Sequence, residues 1–302
     1  MLSWSTKSTP SSQWETGFRM VGIDLDGLIQ PRETLHSADA AAIRTAYANG
    51  AKVVLMSSRA PQGMHRYWAQ LGLGTPVIAF NGALVFDYPG HKILAGQPLS
   101  VETINQVLKL LRDIAPKAGV GLDLSNSWAV NRLGKVAEWT IARTGTWPAN
   151  VGNLRSALDE PVFQMWIDAE PEALERLMDA VDLPGVTKMR YTNPDRVLLR
   201  SAAGTRSWAI ATTAALLDVP SHQVLVIGDG GLDRSLLQVA AFALIAKEGE
   251  PPIELPKDTE KPVIVAHGVA EALERYVQVT PPPLSVLALE ESNEFPWRSS
   301  EL

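Results

Sequence analysis

The 302 residues contain no cysteine, so disulfides, thiolate nucleophiles and cysteine-ligated zinc are all excluded. Histidine is scarce: the five are His36, His65, His91, His222 and His267. None stands at metal-ligand spacing from another, so surface or internally satisfied roles are expected for them. Positive charge is not in excess. The 27 Lys and Arg against 33 Asp and Glu give a net charge of −6, without the basic stripe that a nucleic-acid footprint needs. No apolar run reaches the length that spans a bilayer. Residues 1–17 contain Glu15 and no apolar centre, so they do not read as a signal peptide. A cytoplasmic protein is expected, a monomer or weak homo-oligomer with no nucleic acid and no membrane among its partners.

What is present is an ordinary globular composition, 46% hydrophobic, in a chain long enough for about two domains. From residue 18 the chain repeats strand then helix. Residues 19–23 are a short apolar run ending at Asp24, and 52–56 and 76–80 are two more, the pattern of buried parallel strands. Ser37 is expected to cap a helix over 38–48, which Asn49-Gly50 stops. The run 83–87 and the turn at Tyr88-Pro-Gly90 predict a hairpin. The rhythm then changes. Helices starting at Ser100 and over 171–181 mix with strand-like pieces at 119–124, 138–142 and 161–167 that do not alternate as βαβ units. After 196–199 the alternation resumes, with a helix over 205–217 and an apolar run at 223–227 that ends at Gly228-Asp229.

This order predicts an α/β fold: a Rossmann-like open parallel sheet from residues 18–98 and 187–280, with an α+β domain inserted at 99–186. Residues 1–17, rich in Ser and Thr, are expected to form a flexible tail, and 281–302 a Pro-led acidic tail. Trp128, Trp139, Trp147 and Trp166 enrich the insert in indole and are expected to pack its core, with stacking of one of them on a sugar ring as the alternative.

Open α/β sheets bind ligands beyond the carboxyl ends of their strands. That rule selects Asp24-Leu-Asp26, Ser57-Ser-Arg59, Asn81-Gly82 and Gly228-Asp229, with Asp233 close behind. Carboxylates converging there would repel one another unless a cation sat among them. Hard oxygen donors without His or Cys point to Mg²⁺, which keeps waters and shares a substrate phosphate. Ser57 and the backbone amides beside it can donate to phosphate oxygens. Each piece alone is common in turns; the specific signal is all four, in order, at strand ends.

The chain resembles the haloacid dehalogenase superfamily, and within it the Cof-type phosphatases with a class IIB cap, over about residues 18–280. Members typically show Asp-x-Asp-Gly-Thr, Thr-Gly-Arg and Asn-Gly-Ala after successive strands, then a Lys and Gly-Asp-x-x-Asn-Asp beyond the cap. Here stand Asp24-Leu-Asp-Gly-Leu28, Ser57-Ser-Arg59, Asn81-Gly-Ala83, Arg206 and Gly228-Asp-Gly-Gly-Leu-Asp233. The resemblance implies an HAD-like core with the insert at 99–186 as its cap, and hydrolysis of a small phosphorylated metabolite, a sugar phosphate or a phosphorylated cofactor. It implies Asp24 as nucleophile, giving an aspartyl-phosphate, and Asp26 as general acid and base. Mg²⁺ would be held by Asp24, the Asp26 carbonyl and Asp229, with Asp233 supporting that shell. Ser57, Ser58 and Arg206 would bind phosphate, and Arg59, Asn81 and Gly82 are candidate substrate contacts.

Four positions depart from the pattern. Leu28 replaces Thr, Ser58 replaces Gly, Arg206 replaces Lys, and Leu232 replaces Asn. The first and last remove polar groups from the loops around the nucleophile, while Arg206 keeps the charge in a bulkier planar form. A slow or non-catalytic metabolite-binding relative, or a sugar phosphomutase, is the alternative reading of the same residues.

Overall fold

All five residues of the first strand, Met20–Asp24, are buried, as an apolar run between two layers of helix must be. The computed structural model describes residues 17–30, 34–228, 236, 238–245 and 263–277. The expected tails fall almost wholly outside these, and so do Asp229, Leu232 and Asp233. Along the chain, β1 (Met20–Asp24) leads through the turn α1 (Leu25–Leu28) and the hairpin β2 (Ile29–Gln30) and β3 (Thr34–Leu35) to α2 (Ser37–Ala48). Then come β4 (Lys52–Met56), α3 (Pro61–Leu71), β5 (Val77–Ala79), β6 (Leu84–Asp87) and β7 (Lys92–Gly96). The insert adds α4 (Val101–Ile114), β8 (Gly119–Asp123), β9 (Trp128–Val130), α5 (Lys135–Thr144) and β10 (Asn150–Val151). It continues with β11 (Gln164–Asp168), α6 (Pro171–Ala180), β12 (Val186–Thr192) and β13 (Asp195–Ser201). The chain then returns as α7 (Arg206–Leu216), β14 (Val224–Gly228), β15 (Ala241–Ile245), β16 (Val263–Ala266) and α8 (Val269–Tyr276).

Eight strands form the first sheet, in the order β16-β15-β14-β1-β4-β5-β6-β7. β1 pairs in parallel with β14 on one side and β4 on the other, and only the β5-β6-β7 edge is antiparallel. Strand alternation decides which helices cover which face. Val21 and Ile23 turn toward Ile43, Met64, Tyr67 and Leu273 from α2, α3 and α8. Met20, Val54 and Met56 turn toward Ala209, Ile210 and Ala214 of α7. At Gly22 the fit on that face is close: a Cβ there would sit 2.6 Å from the Ile210 side chain. The absent side chain lets α7 lie directly on β1, and this brings the first residue of α7, Arg206, over the end of that strand.

The insert forms a second sheet of six strands, β10-β9-β8-β11-β13-β12, antiparallel except for the short β9-β10 pair. This sheet runs to Ser201, past residue 186. The apolar run 196–199 therefore belongs to the insert rather than to the resumed βα pattern, because its alternate residues Val197 and Leu199 pack with Leu122 and Met165 under α4 and α6. Ser100 caps α4 by accepting from the Thr103 amide at 3.0 Å, and Ile104, Val107 and Leu111 form its buried face.

Three local expectations are corrected. The segment 138–142 is helical, within α5, not a strand. Its β-branched and aromatic residues favour a strand locally, but Val136, Ala137 and Ile141 share a helix face that packs on Trp128 and Trp166. The cap of α2 is His36, without a side-chain hydrogen bond, and Ser37 lies inside the helix. Trp147 is 71% exposed and packs no core, unlike the buried Trp128 and Trp166.

Candidate active site

The carboxyl ends of β1, β4 and β5 lie side by side because these strands are consecutive in the sheet and in parallel register, with Asp24 opposite Met56 and Met56 opposite Ile78. The three loops that follow are tied together by backbone. Ser57 N–H donates to Ile78 O at 3.0 Å, Phe80 N–H to Arg59 O at 3.0 Å and Asn81 N–H to Ser57 O at 3.0 Å. The sequence-selected pieces 24–26, 57–59 and 81–82 thus form one surface. Gly228, which ends β14, is also close: its Cβ position lies 3.7 Å from Asp24 Cβ.

Asp24 is 9% exposed, and both carboxylate oxygens have partners. Oδ1 accepts from the Asp26 amide at 3.1 Å, the capping bond of the short helix α1. Oδ2 accepts from Arg206 Nη1 at 3.0 Å. The other arm of the same guanidinium, Nη2, donates to Asn81 Oδ1 at 3.1 Å. Asn81 is presented by a strained turn, with positive φ at Phe80 (52°), Asn81 (55°) and Gly82 (99°). Gly82 is required there twice over, by its φ and because a Cβ would meet Thr205 O at 2.3 Å. The close contact seats the turn against the start of α7, where Arg206 begins.

Asp26 points the other way. Its Oδ2 accepts from Ser57 Oγ at 2.8 Å and from the Ser58 amide and hydroxyl, each at 3.3 Å. Its Oδ1 accepts from Arg59 Nε at 3.0 Å, and Arg143 Nη2, on α5 of the insert, stands 3.9 Å from the same oxygen. Burial alone would raise its pKa. The Ser57 hydrogen bond, the Arg59 hydrogen bond and charge, and the Ser58 amide outweigh it, holding the carboxyl below the usual carboxylate range. Ser57 is fully buried, and its hydroxyl is given to Asp26. Leu28 is 4% exposed in the apolar core, a setting in which a threonine hydroxyl would need a partner of its own.

Beyond Ser58 and Arg59 opens a cavity of ≈ 200 Å³ whose far wall is the insert. Asp123, Gln164, Trp166, Tyr191 and Arg196 face it from the second sheet, and Trp139 and Arg143 from α5. The Arg196 guanidinium lies 4.6 Å from the Trp139 ring centre and 4.8 Å from that of Tyr191, and that of Arg143 lies 5.0 Å from Trp139. None of these residues belongs to a motif; sequence reasoning singled out the insert's tryptophans, Trp139 and Trp166 among them, and missed the place of Asp123, Arg143, Gln164, Tyr191 and Arg196 in the cavity. The available signal was Asp123 and Gln164, polar residues in stretches that otherwise read as buried strand.

The described residues hold no group of three or more His, Asp or Glu placed to bind a metal. Asp24 and Asp26 are present at the site, while Asp229 and Asp233 lie outside the described residues. The described donors would be hard oxygens, the Asp24 carboxylate and the Asp26 carbonyl, of the kind that hard cations such as Mg²⁺ take. No helix among the described residues is long and apolar enough to cross a membrane.

The sequence profile of the haloacid dehalogenase-like hydrolases matches residues 21–273. The chain belongs to this family. The putative phosphatase YxeH of Bacillus subtilis (strain 168) is 24% identical over 277 residues, 86% of this chain and 98% of that protein. The 5-amino-6-(5-phospho-D-ribitylamino)uracil phosphatase YitU of the same organism is 23% identical over 282 residues, 87% of this chain and 98% of that one. Among solved structures, a haloacid dehalogenase-like hydrolase from Bacteroides thetaiotaomicron matches with a TM-score of 0.70 at 17% identity, covering 85% of this chain and 99% of that chain. Within the haloacid dehalogenase-like hydrolases the chain stands on the Cof-type phosphatase branch, and its two sheets are the HAD-like core and the insert typical of that fold.

Proposed function

We propose that this protein hydrolyses the phosphate monoester of a small metabolite, a sugar or a cofactor, through an aspartyl-phosphate on Asp24. The observation that carries this reading is the pinning of Asp24, a buried carboxylate at a strand end, held in one orientation by the Asp26 amide and by an arginine that is itself fixed by Asn81. A nucleophile with so little freedom has its orientation set before substrate arrives.

In the first half-reaction an Asp24 oxygen attacks phosphorus, the ester P–O bond breaks, and the leaving oxygen takes a proton from Asp26. Asp26 is the half-exposed partner, with 34% of its side chain accessible, and a bound phosphate dianion raises its affinity for that proton. In the second half-reaction Asp26, again a carboxylate, takes a proton from water as the water oxygen attacks phosphorus. The bond to Asp24 then breaks and inorganic phosphate leaves. Arg206 balances charge on both Asp24 and the phosphate, and Ser58, next to Arg59 at the cavity mouth, supplies a donor to the phosphate oxygens, while the Ser57 hydroxyl stays on Asp26. Mg²⁺ would be held by Asp24, the Asp26 carbonyl and Asp229, with Asp233 behind, and would neutralise the negative charge that nucleophile and phosphate bring together. The insert acts as the cap, closing the cavity over the leaving group and excluding water.

Hydrolysis of phenyl phosphate and of a metabolite panel in Mg²⁺, with release of inorganic phosphate, tests the reading. Asp24→Asn and a chelator should each reduce turnover at least a thousandfold. Turnover surviving Asp24→Asn would sink it, and so would isomerisation without phosphate release.

A further inference from the structure

Three consecutive residues of the insert go to three different places. Val162 is buried in the insert's own core with Leu99 and Met165, and its carbonyl accepts from the Leu99 amide at 2.8 Å, where the chain enters the insert. Gln164, opposite Asp123, faces the cavity. Phe163, between them, leaves the insert altogether. It is 1% exposed, and alone among the described insert residues it belongs to the apolar cluster of the first sheet, with Phe80, Ala83 and Leu84. Its ring lies nearly parallel to that of Phe80, with 6.1 Å between centres and 6° between planes, within the range of offset stacking. The other wall of the slot is the end of β7, where a Cβ on Gly96 would come 2.6 Å from Phe163 Cε1.

Phe80 is where this contact meets the site. It opens the turn with φ 52°, and Asn81 follows with φ 55°. Left-handed backbone at two successive residues other than glycine costs energy, and it persists only where the surroundings over-determine it. Three backbone hydrogen bonds hold the turn: Phe80 N–H to Arg59 O, Asn81 N–H to Ser57 O and Ala83 N–H to Phe80 O, at 3.0, 3.0 and 3.2 Å. The Phe80 side chain, fully buried, is located by packing alone, and a close-packed neighbour transmits any displacement to it. Asn81 takes one arm of Arg206, and the other arm holds Asp24. A shift of Phe80 therefore moves Asn81 and, through Arg206, the carboxylate that attacks phosphorus.

We propose that Phe163 is a positioning residue for Asp24: by seating on Phe80 it makes the strained turn, and with it the chain Asn81–Arg206–Asp24, depend on where the insert sits. Its meaning for catalysis rests on the phosphatase reading, while the hold on the turn is tested without turnover. Hydrogen exchange of the wild type and of Phe163→Leu is followed by NMR at the amides of Phe80, Asn81 and Ala83, with those of β1 as reference. Leucine fills part of the slot and cannot stack. Exchange at these three amides should quicken by about tenfold or more relative to β1. With phenyl phosphate in Mg²⁺, kcat should fall by about tenfold to a hundredfold, the scale of a small misplacement caused far from the chemistry, with KM held within about twofold. In an Asn81→Ala background the same substitution should lower kcat by no more than about twofold, because the path is already cut. Gly96→Ala presses the ring from the other wall of the slot, so it should quicken the same amides, and it serves if Phe163→Leu does not fold. Unchanged exchange at these amides in both variants, a kcat unmoved from that of an active wild type, or a loss as large in the Asn81→Ala background would overturn the proposal. Quickened exchange in a protein whose wild type hydrolyses no ester would keep Phe163 as the residue that holds the turn and remove the phosphatase reading.

Discussion

Arg206 shows what a single side chain changes at this site. The lysine usual in the family would bring one ammonium to Asp24; the guanidinium brings two arms, one on Asp24 and one on Asn81, and so ties Asp24 to a turn on another strand end, each more than a hundred residues from Arg206 in sequence. A lysine cannot span both acceptors with a planar fork. Arg206→Lys should therefore lower kcat by about tenfold or more through loss of the charged hydrogen bond to Asn81, even though it restores the commoner residue. A steady-state comparison checks this, and a higher kcat in the variant would show that Arg206 weakens the site. The sequence made the charge at 206 legible, but not its partner in Asn81, because that contact depends on a backbone with positive φ at residues that are not glycine.

Among the elements, the turn 80–82 and the start of α7 act as one piece. Gly82 combines φ +99° with a Cβ position 2.3 Å from Thr205 O, so the obstacle to a side chain is backbone that cannot swing aside. Gly82→Ala should cost about 3 kcal/mol of unfolding free energy, from left-handed strain plus the displaced contact, read from the urea midpoint at unchanged slope. Activity should fall further than stability, since the displacement separates Asn81 from Arg206. The motif Asn81-Gly82 was visible in the sequence as a polar pair at a strand end. That its glycine serves packing against α7 was not, since nothing local to residue 82 specifies what lies 2.3 Å away. The misread segment 138–142 has the same cause: β-branched residues favour a strand until a helix face finds an apolar partner.

For the molecule as a whole, one buried carboxyl in the insert, Asp123, makes stability depend on pH. Burial raises the Asp123 pKa from 3.8 to about 6, opposed in part by the Gln164 hydrogen bond and the Arg196 charge. The fold therefore binds that proton more tightly than the unfolded chain does. The stabilisation is fully present below pH 3.8 and is lost as pH rises through about 6. Asp123→Asn removes the ionisation and keeps a partner for Gln164. The variant should be more stable than the wild type at pH 8 by roughly 3 kcal/mol, the worth of a shift of about two pKa units, and the difference should shrink steadily toward pH 4. Urea unfolding at both ends of this range measures it. A constant difference would mean that folding leaves the Asp123 pKa unchanged.

The sequence by itself determined the parallel sheet, the position of an insert and the residues at the strand ends, because apolar runs of period-two burial and the polar turns that stop them are local signals. It also carried the family resemblance through short motifs. Which of those residues hold one another was decided by the tertiary structure alone. Ser57, read as a phosphate donor, gives its hydroxyl to Asp26, Arg59 and Arg143 converge on the same carboxylate, and the insert's wall of the cavity is made of side chains no motif marks. Those pairings depend on strand register and on how closely α7 and the insert approach the core, distances set by packing between segments far apart in the chain.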